Sequence, residues 1–336
     1  MKTKRKRMIL SLLLLGVVSI FFFALANGAA VVDFSNLWQA IFKFDDSVQS
    51  QLIIRTIRLP RVLGAFLVGS CFALSGALMQ GVTRNPLADS GLLGINAGAS
   101  LAMALCFAFW PQASAFSVFL LSLLGSLVVT LFVFGFLRFS KMGMNPLQLI
   151  LAGVAISTFF TAISQALTQL FNLQQDLAFW FVGGAANVTW HQLEILAPIY
   201  LLTVSGSFLL GRSISLVNLS ESHALALGGN PGRIRFFAFV LVAGLAAMAV
   251  SLVGPVSFIG LMVPPIVRGI IGSDYRYVLP ASFLVGGGLV MLADYVARMI
   301  NPPFETPFGL IISLIGVPFL LLQVRREQGL NEVTNN

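Results

Sequence analysis

Side chains equipped for chemistry are few in this chain of 336 residues. Cys71 and Cys106 fall in apolar tracts, and His191 and His223 stand far apart; no second ligand lies at metal-binding spacing from any of the four. The cysteines read as small packed hydrophobes, and neither a metal site nor a cofactor is expected. A covalent enzyme needs a nucleophile held against a base, and neither cysteine nor either histidine meets that description. Asp294 is an acid in an apolar tract and so a candidate proton carrier. With no further carboxylates or histidines to continue a relay, pairing with Arg298, four residues on along one helical face, is the better reading. The chain contains no G-x-x-x-x-G-K-[ST] phosphate loop, so it cannot hydrolyse ATP by that route.

What remains is charge and shape. The run "RTIRLPR" (55–61) gathers Arg55, Arg58 and Arg61, and a guanidinium can bind a carboxylate through two parallel hydrogen bonds while staying charged. A second polar run, "NLSESHALALGGNPGRIR" (218–235), interrupts two long apolar stretches. Ser220 can N-cap a short helix, and "ESHALALG" supplies about two turns with Ala224, Leu225 and Leu227 as an apolar contact. Gly228 ends it. A third, "RNPLADSGLLGINAGAS" (84–100), reads as a well-made turn: Asn85-Pro86 stops one helix and Asp89-Ser90 can cap the next.

The elements that must position these groups are membrane helices. Hydrophobic residues make up 57% of the chain and charged ones 10%, far below the roughly 25% of a soluble domain. With about 20 apolar residues needed per crossing, the uncharged tracts divide into ten spans. These lie near 8–30, 62–82, 91–110, 116–137, 147–170, 191–211, 234–253, 256–271, 278–299 and 307–324. The start, MKTKRKRMI, leads into an apolar run without a convincing cleavage site, so a retained first helix is expected. The net charge of +8 reads as topology. Placing both termini in the cytoplasm puts most Lys and Arg inside and leaves Arg55, Arg58, Arg61 and Arg298 outside, against that bias. An acidic docking partner outside the cell is one account of them. Small-residue runs such as "GSCFALSGALMQG" (69–81) point to tight helix packing. The segments 58–80 and 233–255 both open on a basic pair and enter from opposite sides, the arrangement of an inverted internal repeat.

Five stretches in order, "RLPR" with "LSGALMQ" (58–80), "RNPLADSGLLGINAGAS", the 217–235 loop, "GPVSFIGLMVPPIVR" (254–268) and "ADYVARMINPPFETPFG" (293–309) with "GVPFLLL" behind it, carry a resemblance. Together they make the chain similar to the FecCD-type permeases of ABC importers for iron(III)-siderophore complexes and cobalamin. One departure is Pro265, where the family more usually has a histidine. The resemblance implies an all-α integral membrane protein of ten transmembrane helices with the type II ABC importer permease fold. It implies a cytoplasmic coupling loop at 217–235, with Leu219, Ser220, Glu221, His223, Ala224, Leu225, Leu227 and Gly228 against an ATP-hydrolysing subunit. It implies docking of an extracytoplasmic substrate-binding protein on Arg58, Arg61 and Arg298, and a gate region about Trp180, Gly183 and Gly184.

The implied partners are a second permease subunit, identical or related, two copies of the ATPase, the binding protein and an iron(III)-siderophore as cargo, in a bacterial cytoplasmic membrane. Nucleic acid is not among them. Cobalamin and haem are the competing cargoes. An ion-coupled secondary transporter is the alternative from another class, and it would need ionisable groups at mid-membrane, where these spans carry almost none.

Overall fold

The computed structural model describes residues 3–27, 34–45, 47–91, 94–139, 146–174, 184–301, 304 and 306–334. Among the described residues every regular element is helical. In chain order these are α1 Thr3–Ala26, α2 Phe34–Phe42, α3 Gln49–Ile53, α4 Leu59–Thr83, α5 Ile95–Phe109, α6 Ala115–Phe139 and α7 Pro146–Leu170. They continue with α8 Trp190–Leu219, α9 Glu221–Ala226, α10 Pro231–Val253, α11 Ile259–Ile271, α12 Tyr275–Ile300 and α13 Phe308–Thr334. A π-helical turn, Ile54–Arg58, joins α3 to α4. Seven described helices are long and apolar enough to cross a membrane, and α5, α11 and the Phe308–Gln323 part of α13 are shorter apolar helices.

Local chemistry sets the boundaries. Thr189 and Gln192 close a reciprocal capping box at the start of α8. Asn230 accepts the Arg233 N–H and Pro231 follows it, so α10 begins there. Gly254 (φ 78°) and Phe258 (φ 73°) turn the chain left-handed. For that reason α11 begins at Ile259, later than the apolar tract beginning at 256 suggests. The stretch between the first two spans, read as connection, holds α2 and α3. In α2, Leu37 and Ala40 are buried while Trp38 and Phe42 are exposed: an amphipathic pattern too short to stand out beside the spans.

The centre of the bundle is α4, buried along nearly its whole length and packed on α8, α10, α11 and α12. Between apolar helices in lipid there is no hydrophobic driving force, and close backbone approach must supply the attraction. The small residues do this. A Cβ on Gly76 would run into the carbonyl of Gly260 on α11, one on Gly69 into Gly286 of α12, and one on Gly98 of α5 into Gly125 of α6. Cys71 and Cys106 are buried within such packing. The two segments compared as a repeat are neighbours, α4 and α10. Arg235 near the start of α10 donates to the Val82 carbonyl near the end of α4, so they run in opposite directions.

Candidate functional site

The bundle has two polar ends. At the first, the C-terminus of α1 meets the start of α4 and the end of α12. Arg61 Nε donates to Asp294 Oδ1 at 3.0 Å and Oδ2 at 3.1 Å, and Arg61 Nη2 lies 3.0 Å from Oδ1. Arg298, one turn after Asp294, places Nε 3.3 Å from Oδ2. Arg58 Nη1 donates to the carbonyls of Leu25 at 2.8 Å and Ala26 at 3.2 Å, and Arg298 Nη2 to that of Ala24 at 3.3 Å. Cations therefore sit on the carbonyl end of α1, where the helix dipole favours them. Asp294 is 1% exposed, and Arg58 and Arg61 are 6% each.

The structure thus brings together all three arginines expected to dock a partner, but it turns them inward. Salt bridges to another protein need accessible guanidiniums, and those of Arg58 and Arg61 are buried against Asp294 and α1. Arg298 is half-buried. Arg55, three residues before Arg58, is exposed, with its guanidinium over the Phe44 ring, and its carbonyl accepts the Trp190 Nε1–H at 2.7 Å. The Asp294–Arg298 pair was legible from its spacing. The stronger Arg61–Asp294 pair spans 233 positions and leaves no local signal.

At the second end, α9 follows α8 after one residue. Ser220 is extended and its carbonyl accepts the Ala224 N–H at 3.2 Å, while its hydroxyl lies 3.0 Å from that of Ser222. Gly228, with φ 77°, donates to Leu225 O at 2.9 Å, and Gly229 donates to Ala224 O at 2.8 Å. This pair of bonds around a left-handed glycine is a Schellman stop. Ala224 is fully buried, so it packs the helix onto its own chain, whereas Leu219, Leu225 and Leu227 are 75%, 61% and 69% exposed. The side chains of Glu221 and His223 lie outside the described set. The loop is anchored by Asn218 Nδ2, which donates to Gly81 O at 3.3 Å, and by the Arg235 bond to α4.

The same end carries the N-cap of α12. Asp274 is held by Arg276 at 2.8 Å and lies 3.8 Å from Lys6 of α1. Hydrogen bonding from Arg276 chiefly, with the charges of Arg276 and Lys6, keeps its carboxyl below the usual range. Lys6, Arg235, Arg268 and Arg276 all gather here. In the turn between α4 and α5, Asn85 Oδ1 accepts the Leu87 N–H at 3.0 Å and Asp89 Oδ2 that of Gly91 at 3.0 Å. Asp89 is buried against Gly260, and that burial pushes its carboxyl up to about 6. Trp180 and Gly183 of the expected gate lie outside the described residues. At Gly184 a Cβ would meet nothing, and the turn after it seats Val188 on Gly64 of α4. Among the described residues no group of His, Cys, Asp and Glu could hold a metal ion.

A family model described as the FecCD transport family matches residues 13–326. The chain belongs to the FecCD transport family. Its members are ABC transporter permease subunits, which are not themselves enzymes, and this FecCD permease is a multi-span membrane protein. It is 40% identical to the iron(3+)-hydroxamate import system permease protein FhuB of Bacillus subtilis over 91% of this chain and 80% of that one. It is 34% identical to the iron-uptake system permease protein FeuB of the same organism over 90% of each. The fold matches a solved structure described as a metal-chelate type ABC transporter in an inward-facing conformation, with a TM-score of 0.80 and 29% identity. That match covers 95% of this chain and 99% of the other.

Proposed function

We propose that this FecCD permease is the membrane-spanning subunit of an ATP-driven importer of iron(III)-siderophore complexes. The observation that carries the reading is its 40% identity, over nine-tenths of its length, to a permease named for iron(III)-hydroxamate import. Two permease subunits, identical or related, pair about a two-fold axis. Two ATP-hydrolysing subunits sit at the α9 end, which faces the cytoplasm, and both chain termini lie on that side of the cytoplasmic membrane. Gathering of Lys6, Arg235, Arg268 and Arg276 at that end supports this orientation.

Coupling runs through α9. Three exposed leucines on and beside this short helix offer an apolar surface that water does not favour, and the Schellman stop and two anchors to α4 make it stiff enough to pass on a displacement. The substrate-binding protein docks at the opposite end. There Arg58, Arg61 and Arg298 set three positive charges against the one of Asp294, a field that orients an acidic partner. Segment 177–188 serves as the gate.

The test is uptake of radiolabelled iron by proteoliposomes holding the permease, its ATPase and its binding protein. ATP-dependent uptake of a ferric siderophore, with none of cobalamin or haem, is the expected result. Uptake of cobalamin or haem instead would replace the cargo, and uptake driven by an ion gradient without ATP would overturn the class.

A further inference from the structure

Helices α1 and α8 both pack on α12, and among the described residues they barely touch each other. A cleft therefore runs along α12 between them. Both flanking helices expose apolar side chains, Leu12, Leu14 and Leu15 on α1 and Leu201, Leu202 and Leu209 on α8, as spans facing lipid do. The floor of the cleft is aromatic. Phe283 of α12 meets Phe208 of α8 edge-on at 5.7 Å and Phe66 of α4 at 5.2 Å, while Pro280, Phe283 and Leu284 stay partly exposed along α12.

Cations from three helices stand at the polar end of this cleft. Lys6 of α1 lies 3.8 Å from Asp274 and over the Tyr277 ring, 4.9 Å from its centroid. Arg276 precedes Pro280 and Phe283 by one and two turns on one face of α12, and Arg212 follows Phe208 by one turn on α8. The two arginines are neighbours across the helix contact, because a Cβ on Gly211 would lie 3.3 Å from the Arg276 Cα. The Arg276 side chain is 60% exposed although it pairs with Asp274. Arg212 is exposed, as are Lys4, Arg5 and Arg7 in the first turns of α1, and among the described residues none of these four forms an ion pair. Together the cations outnumber the one carboxylate of the cluster, Asp274.

The cytoplasmic bias of basic residues accounts for how many Lys and Arg one end of a membrane protein carries. It does not account for three helices setting theirs at the head of a single apolar cleft. Basic pockets between membrane helices suit anionic lipid headgroups, and an arginine fork matches a phosphate through paired hydrogen bonds. Excess positive charge disfavours the ammonium of a zwitterionic lipid. We propose that the cleft between α1 and α8 binds an anionic phospholipid, its phosphate held by Arg212 and Arg276 beside the basic start of α1 and its acyl chains lying on the Phe208–Phe283 floor. Bound there, the lipid ties α1 to α8, the helix that leads into α9. The site is distinct from any cargo path and rests only on the chain's being a membrane protein.

Native mass spectrometry of the detergent-purified permease with its ATPase, titrated with dioleoyl-phosphatidylglycerol or dioleoyl-phosphatidylcholine, tests this. The wild type should bind phosphatidylglycerol roughly tenfold more tightly or better. Arg212→Gln with Arg276→Gln should lower that affinity by roughly tenfold or more, at about fivefold per cation, and leave phosphatidylcholine binding unchanged, while retention of the ATPase shows that the fold is kept. Arg233→Gln with Arg325→Gln removes the same charge from the same end outside the cleft, and should cost no more than about twofold. Asp274→Asn removes the carboxylate that competes with the phosphate and should tighten phosphatidylglycerol binding by about threefold; a purely structural role for the cluster would weaken it. Equal binding of the two lipids by the wild type, equal losses in the two double variants, or weaker binding in Asp274→Asn would overturn the proposal. So would displacement of the lipid by millimolar glycerol 3-phosphate, which would mark a site for a soluble phosphate.

Discussion

At one end of the bundle Arg58, Arg61 and Arg298 turn inward, to Asp294 and to the carbonyls that finish α1. At the other, Leu219, Leu225 and Leu227 turn outward on and beside a short helix closed by Gly228. The residue types are exchanged relative to a simple inside-outside rule. Charges hold helices together at the first end, and apolar groups face away from the chain at the second, where the proposed coupling would grip another protein. Burial rather than residue type separates a group that builds the permease from one that offers it to a partner.

The comparison breaks hardest at Asp294. Asp294→Ala leaves the buried Arg61 uncompensated and should destabilise the permease by about 3–5 kcal/mol, read as a lowered unfolding temperature in detergent. A loss near zero would mean that the cluster is not structural. Next comes Gly76→Val on α4, whose added carbons meet the Gly260 backbone; about 1–3 kcal/mol of destabilisation is expected, by the same measurement. Gly228→Ala strains a left-handed position by roughly 1–2 kcal/mol. It should loosen α9 alone, seen as faster hydrogen exchange at 221–229 with α4 unchanged. The smallest effect is at Asp274. Its carboxyl is held below the ordinary value of 3.8, so its contribution is present above that value and fades as pH falls through its lowered one. Because the pair with Arg276 is largely exposed on the arginine side, Asp274→Asn should change stability at pH 7 by no more than about 1 kcal/mol.

Much of the fold was legible because apolar length and breakers dominate in a membrane chain. Helices α4 and α10 run over the tracts read at 62–82 and 234–253, and Gly228 ends α9 by the mechanism its residue type suggests. The stretch from 31 to 57 was less legible, since a nine-residue amphipathic helix carries little signal beside twenty-residue spans. At the sites, Leu225 and Leu227 were named as one apolar contact together with Ala224, and only packing separates the two that face out from the one that faces in. Arg58, Arg61 and Arg298 were named together as a docking group and do lie together, but Asp294 is 233 residues away from Arg61, and no local pattern encodes a contact made by tertiary structure. Arg212, Arg276 and the basic start of α1 look in sequence like the ordinary bias of one membrane side. Their place at the head of one cleft appears only once the helices are assembled.

The outward leucines are the central claim, and affinity purification of the permease with its ATP-hydrolysing subunit tests it most directly. The Leu219→Asp, Leu225→Asp, Leu227→Asp variant should keep the wild-type unfolding temperature, because these side chains touch water, yet lose the ATPase and with it ATP-driven uptake. Retention of the ATPase at wild-type stoichiometry by a variant that still folds would contradict the account and move the coupling contact elsewhere on the chain.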